Sequence, residues 1–190
     1  MRRNLVAPLA LLAALAAGGC SSRGTTLPPA SAAPPQEVRV DWQEPTNANA
    51  TSPRLVFAVT RLEIAHDGWQ ADVSIRNETK IPWLIGGSDA TSVVPFGVML
   101  FATGDQAELE RRNRDRDLPG VRDALTARPP PPVVLDPGRS WEGTIAAPGA
   151  LAAGRWLRVV FGPLLPQGDP PPDLPRRLVW ITDNSYLLRG

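Results

Sequence analysis

The sequence predicts an all-β protein, an antiparallel sandwich of about seven to nine short strands with one short inserted helix. Three observations carry this. From Arg54 onward apolar residues recur with a period of two, the mark of strands with one buried face. Clusters of Gly, Pro, Asn and Asp punctuate those runs at intervals of roughly ten residues or more. The one cysteine, Cys20, lies before the runs begin, so packing and not disulfide bonding must hold the fold.

The elements follow in order. Residues 1–19 have the three parts of a secretory leader: a charged start at Arg2 and Arg3, an apolar run from Leu5 to Ala17, and the small pair Gly18 and Gly19. The run is 13 residues long, and a membrane-spanning helix needs about 20, so the segment reads as a removable signal. Residues Leu15-Ala16-Ala17-Gly18-Gly19-Cys20 resemble the lipobox of bacterial lipoproteins, in which a peptidase cuts before a cysteine that carries diacylglycerol. Ala17 stands where that family usually has leucine. The resemblance implies acylation of Cys20, with palmitate-type chains, and a lipid-anchored protein on the cell membrane or outer membrane with its domain outside the cytoplasm. Ser21 does not match the aspartate-type signal that retains such proteins on an inner membrane. The rival reading is an ordinary secretory signal with a cysteine nearby by chance.

Residues 20–53 read as a tether. Six prolines fall among Ser, Thr, Ala and Asn between 21 and 53, with few large apolar groups, and such a stretch buries too little surface to offset its ordering entropy. Val38, Val40 and Trp42 alternate with Arg39 and Asp41, so a first short strand is possible inside its end. The sandwich itself is assigned to 54–190. Leu55, Phe57 and Val59, then Leu62 and Ile64, alternate with less apolar residues; His66-Asp67-Gly68 supplies a turn; Ala71, Val73 and Ile75 return as the second arm of a hairpin. Asn77 to Lys80 interrupts the pattern, Ile81 to Ile85 resumes it, Gly86 to Asp89 is a loop, and Pro95 to Ala102 is a dense apolar strand.

Asp105 to Arg116 differs in kind. Ala107 and Leu109 are its only apolar residues, carboxylates come early and arginines late, and Asp105 is placed to cap, which together predict a short exposed helix. Pro119-Gly120 ends it and Pro129 to Pro132 form a polyproline segment. Val133 to Leu135, the turn Asp136-Pro137-Gly138, a strand from Ser140 to Ala146, another from Arg155 to Phe161, a proline-laden loop at 163–175 and a closing strand from Leu178 to Leu188 complete the chain. The segments "LDPGRSWEGTI…LAAGRWLRVVFGP" and "WQADVSIRNET" resemble the strand–turn–strand pattern of small bacterial immunoglobulin-like domains of exported lipoproteins. That likeness implies an immunoglobulin-like sandwich and transfers no functional residue.

Loss of Arg2 and Arg3 with the leader leaves 18 basic side chains against 19 acidic ones, a net charge of −1. That balance argues against nucleic acid as a partner. No metal site and no cofactor are expected, since a lone histidine and an acylated cysteine leave too few soft ligands. His66 is the only imidazole and no Gly-x-Ser-x-Gly elbow exists, so no catalytic residues are assigned. Asn113, Asp115 and Asp117 have the spacing of a calcium loop's opening, but the sixth and twelfth positions are Leu118 and Ala124 where glycine and glutamate are needed. Glu108 and Glu110 lie two apart on one helix and do not face a common site. Of the six tryptophans, Trp141, Trp156 and Trp180 lie within strands and suit packing, whereas Trp69 in a turn and Trp83 after Pro82 are the candidate partner contacts. The expectation is a non-catalytic binding or scaffolding module, held on the membrane through Cys20 and engaging an envelope protein. The alternatives are a carrier of a hydrophobic ligand, a proteinase inhibitor presenting the 163–175 loop, and an atypical hydrolase.

Overall fold

Alternating side chains become paired strands throughout the computed structural model, which describes residues 31–46, 54–86 and 95–190. Along the chain these are β1 (Gln36–Pro45), β2 (Leu55–Ile64), β3 (Gly68–Asn77), β4 (Trp83–Ile85), β5 (Phe96–Phe101), α1 (Gln106–Asp115), β6 (Arg122–Asp123) and β7 (Thr126–Arg128). They continue with β8 (Val134–Leu135), β9 (Ser140–Pro148), β10 (Trp156–Pro166), β11 (Leu178–Ile181) and β12 (Tyr186–Leu187). Two antiparallel sheets form, one in the order β1-β2-β3-β9-β7 and the other β6-β5-β10-β4-β8, with β11 and β12 also paired to β10. The protein is an all-β sandwich.

Register follows the apolar pattern. In the β2–β3 hairpin Phe57 faces Ile75, Val59 faces Val73 and Leu62 faces Ala71, with a shift between Val59 and Arg61. The extra residue there moves the inward phase from odd to even positions, so that Leu62 and Ile64 stay buried after Leu55, Phe57 and Val59. Between the sheets the rings form a chain: Trp141 stacks on Phe96 at 5.0 Å, Phe96 meets Phe161 edge-on at 5.9 Å, Phe161 tilts against Phe57 at 4.9 Å, and Phe57 stacks on Trp180 at 5.6 Å. Each such pair adds about 0.5–1.5 kcal/mol beyond simple burial. These rings bridge the space between the two sheets.

The helix forms as its charges predict. Asp105 accepts from the N–H of Ala107 at 2.9 Å as N-cap, and Arg116 closes the other end in the left-handed region at φ 58. Its one buried residue, Leu109, covers Met99, Phe101 and Val160 on the outer side of the second sheet.

Four features differ from the sequence reading. The boundary at 54 is too late, because β1 pairs with β2 along its length, Ala33 is buried, and Ala33 donates to the carbonyl of Leu151 at 2.7 Å. Alternation at Gln36, Val38, Val40, Trp42 and Glu44 outweighs the proline content that marked the stretch as tether. Short strands β6 and β7 lie in a stretch to which the sequence reading assigned no element; at two and three residues they are too brief to display a period. The closing strand is two, split at Thr182 to Ser185. Finally, β10 runs on through Pro166, so the 163–175 segment is strand at its start, and Leu174 is buried within it. At Gly162, with φ 105, an added Cβ would lie 2.6 Å from the carbonyl oxygen of Leu178, which is why the β10–β11 ladder breaks at a glycine.

Candidate functional site

The residues singled out by the sequence go to different places. Cys20 lies outside the described residues. Trp69 and Trp83 are core, 4% and 0% exposed, and so do not present the partner contacts expected of them. The reason is periodicity: Trp69 is in phase with Ala71, Val73 and Ile75 on the inner face of β3. Trp83 donates its indole N–H to Thr79 Oγ1 at 3.0 Å, and Thr79 in turn bonds Asn77 Oδ1. Asn77 gives its amide to the carbonyls of Ile81 and Leu135 at 2.8 and 2.9 Å. This network buries both Asn77 and Thr79. His66 is exposed in the β2–β3 turn.

Three carboxylates of the helix and its exit are engaged by arginines. Asp115 pairs with Arg111 at 3.3 Å and Asp117 with Arg112 at 3.0 Å. Glu108 accepts from Arg111 and Arg112, and these hydrogen bonds hold its carboxyl below the ordinary value. Among the described residues no group of three or more His, Cys, Asp and Glu is placed to hold a metal ion.

A buried charge cluster went unnoticed in the sequence. Glu44, on the strand read as tether, is 5% exposed. Its carboxylate accepts from Trp180 Nε1 at 2.9 Å and from the backbone N–H of Asp183, the backbone N–H of Asn184 and Asn184 Nδ2, each at 2.8 Å. Arg158 is fully buried on β10. Its guanidinium donates to the carbonyls of Thr182 at 2.6 Å and Gly104 at 2.9 Å and to that of Asp183, and it lies over the Phe101 ring at 5.5 Å. Its Nε has no partner among the described residues. Burial lowers the Arg158 pKa, against the raising influence of Asp183, Glu44 and Asp105. Burial and the neighbouring Glu44 raise that of Asp183, which Arg158 opposes. These groups bond backbone rather than face a cleft, so their work is architectural: they fix the β11–β12 turn to β1 and to the approach to α1.

A different set of cations faces outward. The end of β5 (Leu100, Ala102), the helix exit (Asp117, Leu118, Pro119) and the start of β10 enclose a surface cleft of about 440 Å³, into whose walls Arg112, Arg122 and Arg155 are built. Sheet register explains the convergence. Arg122 lies opposite Val98 on β5, and Arg155 precedes Trp156, which lies opposite Phe101. Arg112 is held by Glu108 Oε1 at 2.6 Å and by the carbonyl and carboxylate of Asp117, both at 3.0 Å. Arg122 spends one Nη on the Ala150 carbonyl at 3.0 Å. Arg112 is neutralised by Glu108 and Asp117, so the positive charge left to the cleft is that of Arg122 and Arg155. Such an arrangement attracts anions. Sequence reading missed it because its residues are spread from 100 to 155 and only strand pairing assembles them.

No family model matches the chain, and no curated protein or solved structure is significantly similar to it.

Proposed function

We propose that the protein is a membrane-anchored lipoprotein of a bacterial envelope, acting as a non-catalytic binding or scaffolding module. The observation that carries this is Cys20 set directly behind Gly18-Gly19 and the apolar run Leu5 to Ala17. Acylation at Cys20 would anchor the chain stably, provided that more than one acyl chain is attached, and would raise the domain's effective concentration near membrane partners. Binding is favoured over cargo carriage by the aromatic chain that bridges the space between the sheets. It is favoured over hydrolysis by the solitary exposed His66.

Strand order supports an immunoglobulin-like reading of the sandwich. The constant-type arrangement has strands A, B, E and D in one sheet and C, F and G in the other. Here β2, β3, β9 and β7 follow that first order, β5, β10 and β11 the second, and β1 adds an outer strand beside β2. The cysteine pair of antibody domains has no counterpart.

Metabolic labelling with a palmitate analogue in a bacterial host tests the anchor. Label and membrane association are expected in the natural chain and lost in Cys20→Ser. Equal membrane association of the two, with no label on either, would sink the proposal.

A further inference from the structure

We propose that the arginine-walled cleft binds a phosphate ester, with glycerol phosphate as its simplest soluble form and an acylated glycerol phosphate as its lipid form. This rests on reading the protein as a binding module and supplies the ligand chemistry of that module. Guanidiniums reach the cleft from three separate elements: Arg112 from α1, Arg122 from β6 and Arg155 from the residue before β10. Their bonding states differ in a way that suits capture. Arg112 is locked by Glu108 and Asp117 and contributes a fixed wall. Arg122 is steadied through one Nη at the Ala150 carbonyl, with its other N–H groups uncommitted among the described residues. The Arg155 guanidinium is exposed and has no acceptor among the described residues.

The shape of the anion follows from where the donors stand. A planar carboxylate is satisfied by one arginine fork approaching in its plane. A phosphate carries oxygens in several directions, so forks from different walls bond it without competing. Leu100, Leu118 and Pro119 line the same cleft, which favours hydrocarbon beside the charged head. At about 440 Å³ the cleft suits a headgroup and its first carbons. It lies toward the small end of ligand sites, which run from about 300 to 1,000 Å³.

Soluble esters and lipid headgroups share this chemistry, and calorimetry separates them. The full-length chain in neutral detergent is titrated with glycerol phosphate, with short-chain phosphatidylglycerol, with short-chain phosphatidylcholine and with succinate as a dianion whose charges are carried by planar carboxylates. Binding of both glycerol phosphate and phosphatidylglycerol assigns a general phosphate-ester site; binding of phosphatidylglycerol alone assigns a lipid headgroup. In either case Arg122→Gln combined with Arg155→Gln is expected to weaken binding at least about tenfold. Arg155→Glu alone should weaken it as well, and Arg139→Gln, outside the cleft, should not. Both altered arginines are exposed, and an unchanged melting profile verifies the fold. Failure of every phosphate compound to bind, equal binding of succinate, or unchanged affinity in the double variant overturns the inference. Absence of acyl label on Cys20 would leave these titrations untouched, so the two readings fail separately.

Discussion

Glu44 and Asn184 are 140 residues apart in the chain, yet one carboxylate oxygen of Glu44 accepts both the backbone N–H and the side-chain amide of Asn184 at 2.8 Å. The other oxygen accepts from Trp180 and Asp183. The contact joins the outermost strand of one sheet to the last turn of the other.

Replacing Glu44 with Gln puts an amide donor where one of those oxygens accepts from two N–H groups. A buried donor left without an acceptor costs about 1–3 kcal/mol. The urea midpoint of Glu44→Gln should fall accordingly with the slope of the transition unchanged. An unaltered midpoint would show that the turn is held by other means.

Asp183 supplies a pH test. Its pKa is raised in the folded chain above the ordinary 3.8, burial first and Glu44 second. A raised acid contributes stability below its unfolded pKa and loses it as pH rises through the folded value. At neutral pH the ionised form is therefore a liability. Asp183→Asn should melt higher than the natural chain at pH 7, and the two should converge as pH falls below 3.8. A constant difference across pH would rule out this linkage.

Arg116 holds the left-handed position that ends α1. Side chains with a Cβ pay roughly 1–2 kcal/mol for that conformation and glycine does not. Arg116→Gly should raise stability by about 1 kcal/mol, less what glycine adds to the entropy of the unfolded chain. A drop in thermal midpoint would show that the Arg116 side chain matters more than its backbone.

Trp83→Phe keeps an aromatic ring in the core but removes the indole N–H given to Thr79. The expected loss is about 1–2 kcal/mol from the unmade bond and the smaller ring. If Trp83 served a partner at the surface, the substitution would leave stability unaffected.

How far the sequence foretells the structure depends on the length over which a pattern repeats. The hairpin from Leu55 to Ile75 alternates long enough to be read directly, and the strand from Trp156 to Phe161 is legible as a dense apolar run, buried on both faces from Leu157 onward. Also legible is α1, whose cap and charge order are local. Strands β6 and β7 have no room for a period, and they form because β5 and β9 offer open edges to pair with. Glu44 sits among prolines and polar residues, and nothing local says that its carboxylate will be met by a turn 140 residues later. Trp69 and Trp83 were legible as important but not as buried: proximity to a turn suggests the surface, whereas strand phase sets them inward. The arginine cleft has no sequence signal of its own, because register alone brings Arg122 and Arg155 near α1.

Incorporation of β1 into the sheet changes what an acyl anchor would permit. With Ala33 in the core and a first bridge from Ala32 to Ala152, residues 21–30 alone separate Cys20 from the described domain. Ten residues span at most about 35 Å, against roughly 100 Å had everything from 21 to 53 been free. The point where the chain enters the domain would then stand no farther than about 35 Å from the lipid. Any pull on the anchor would enter through an edge strand that is laced along β2 and also fastened to the opposite chain end, where Gln36 bonds both the N–H and the carbonyl of Arg189. The domain would thus take mechanical load at a seam secured on two sides.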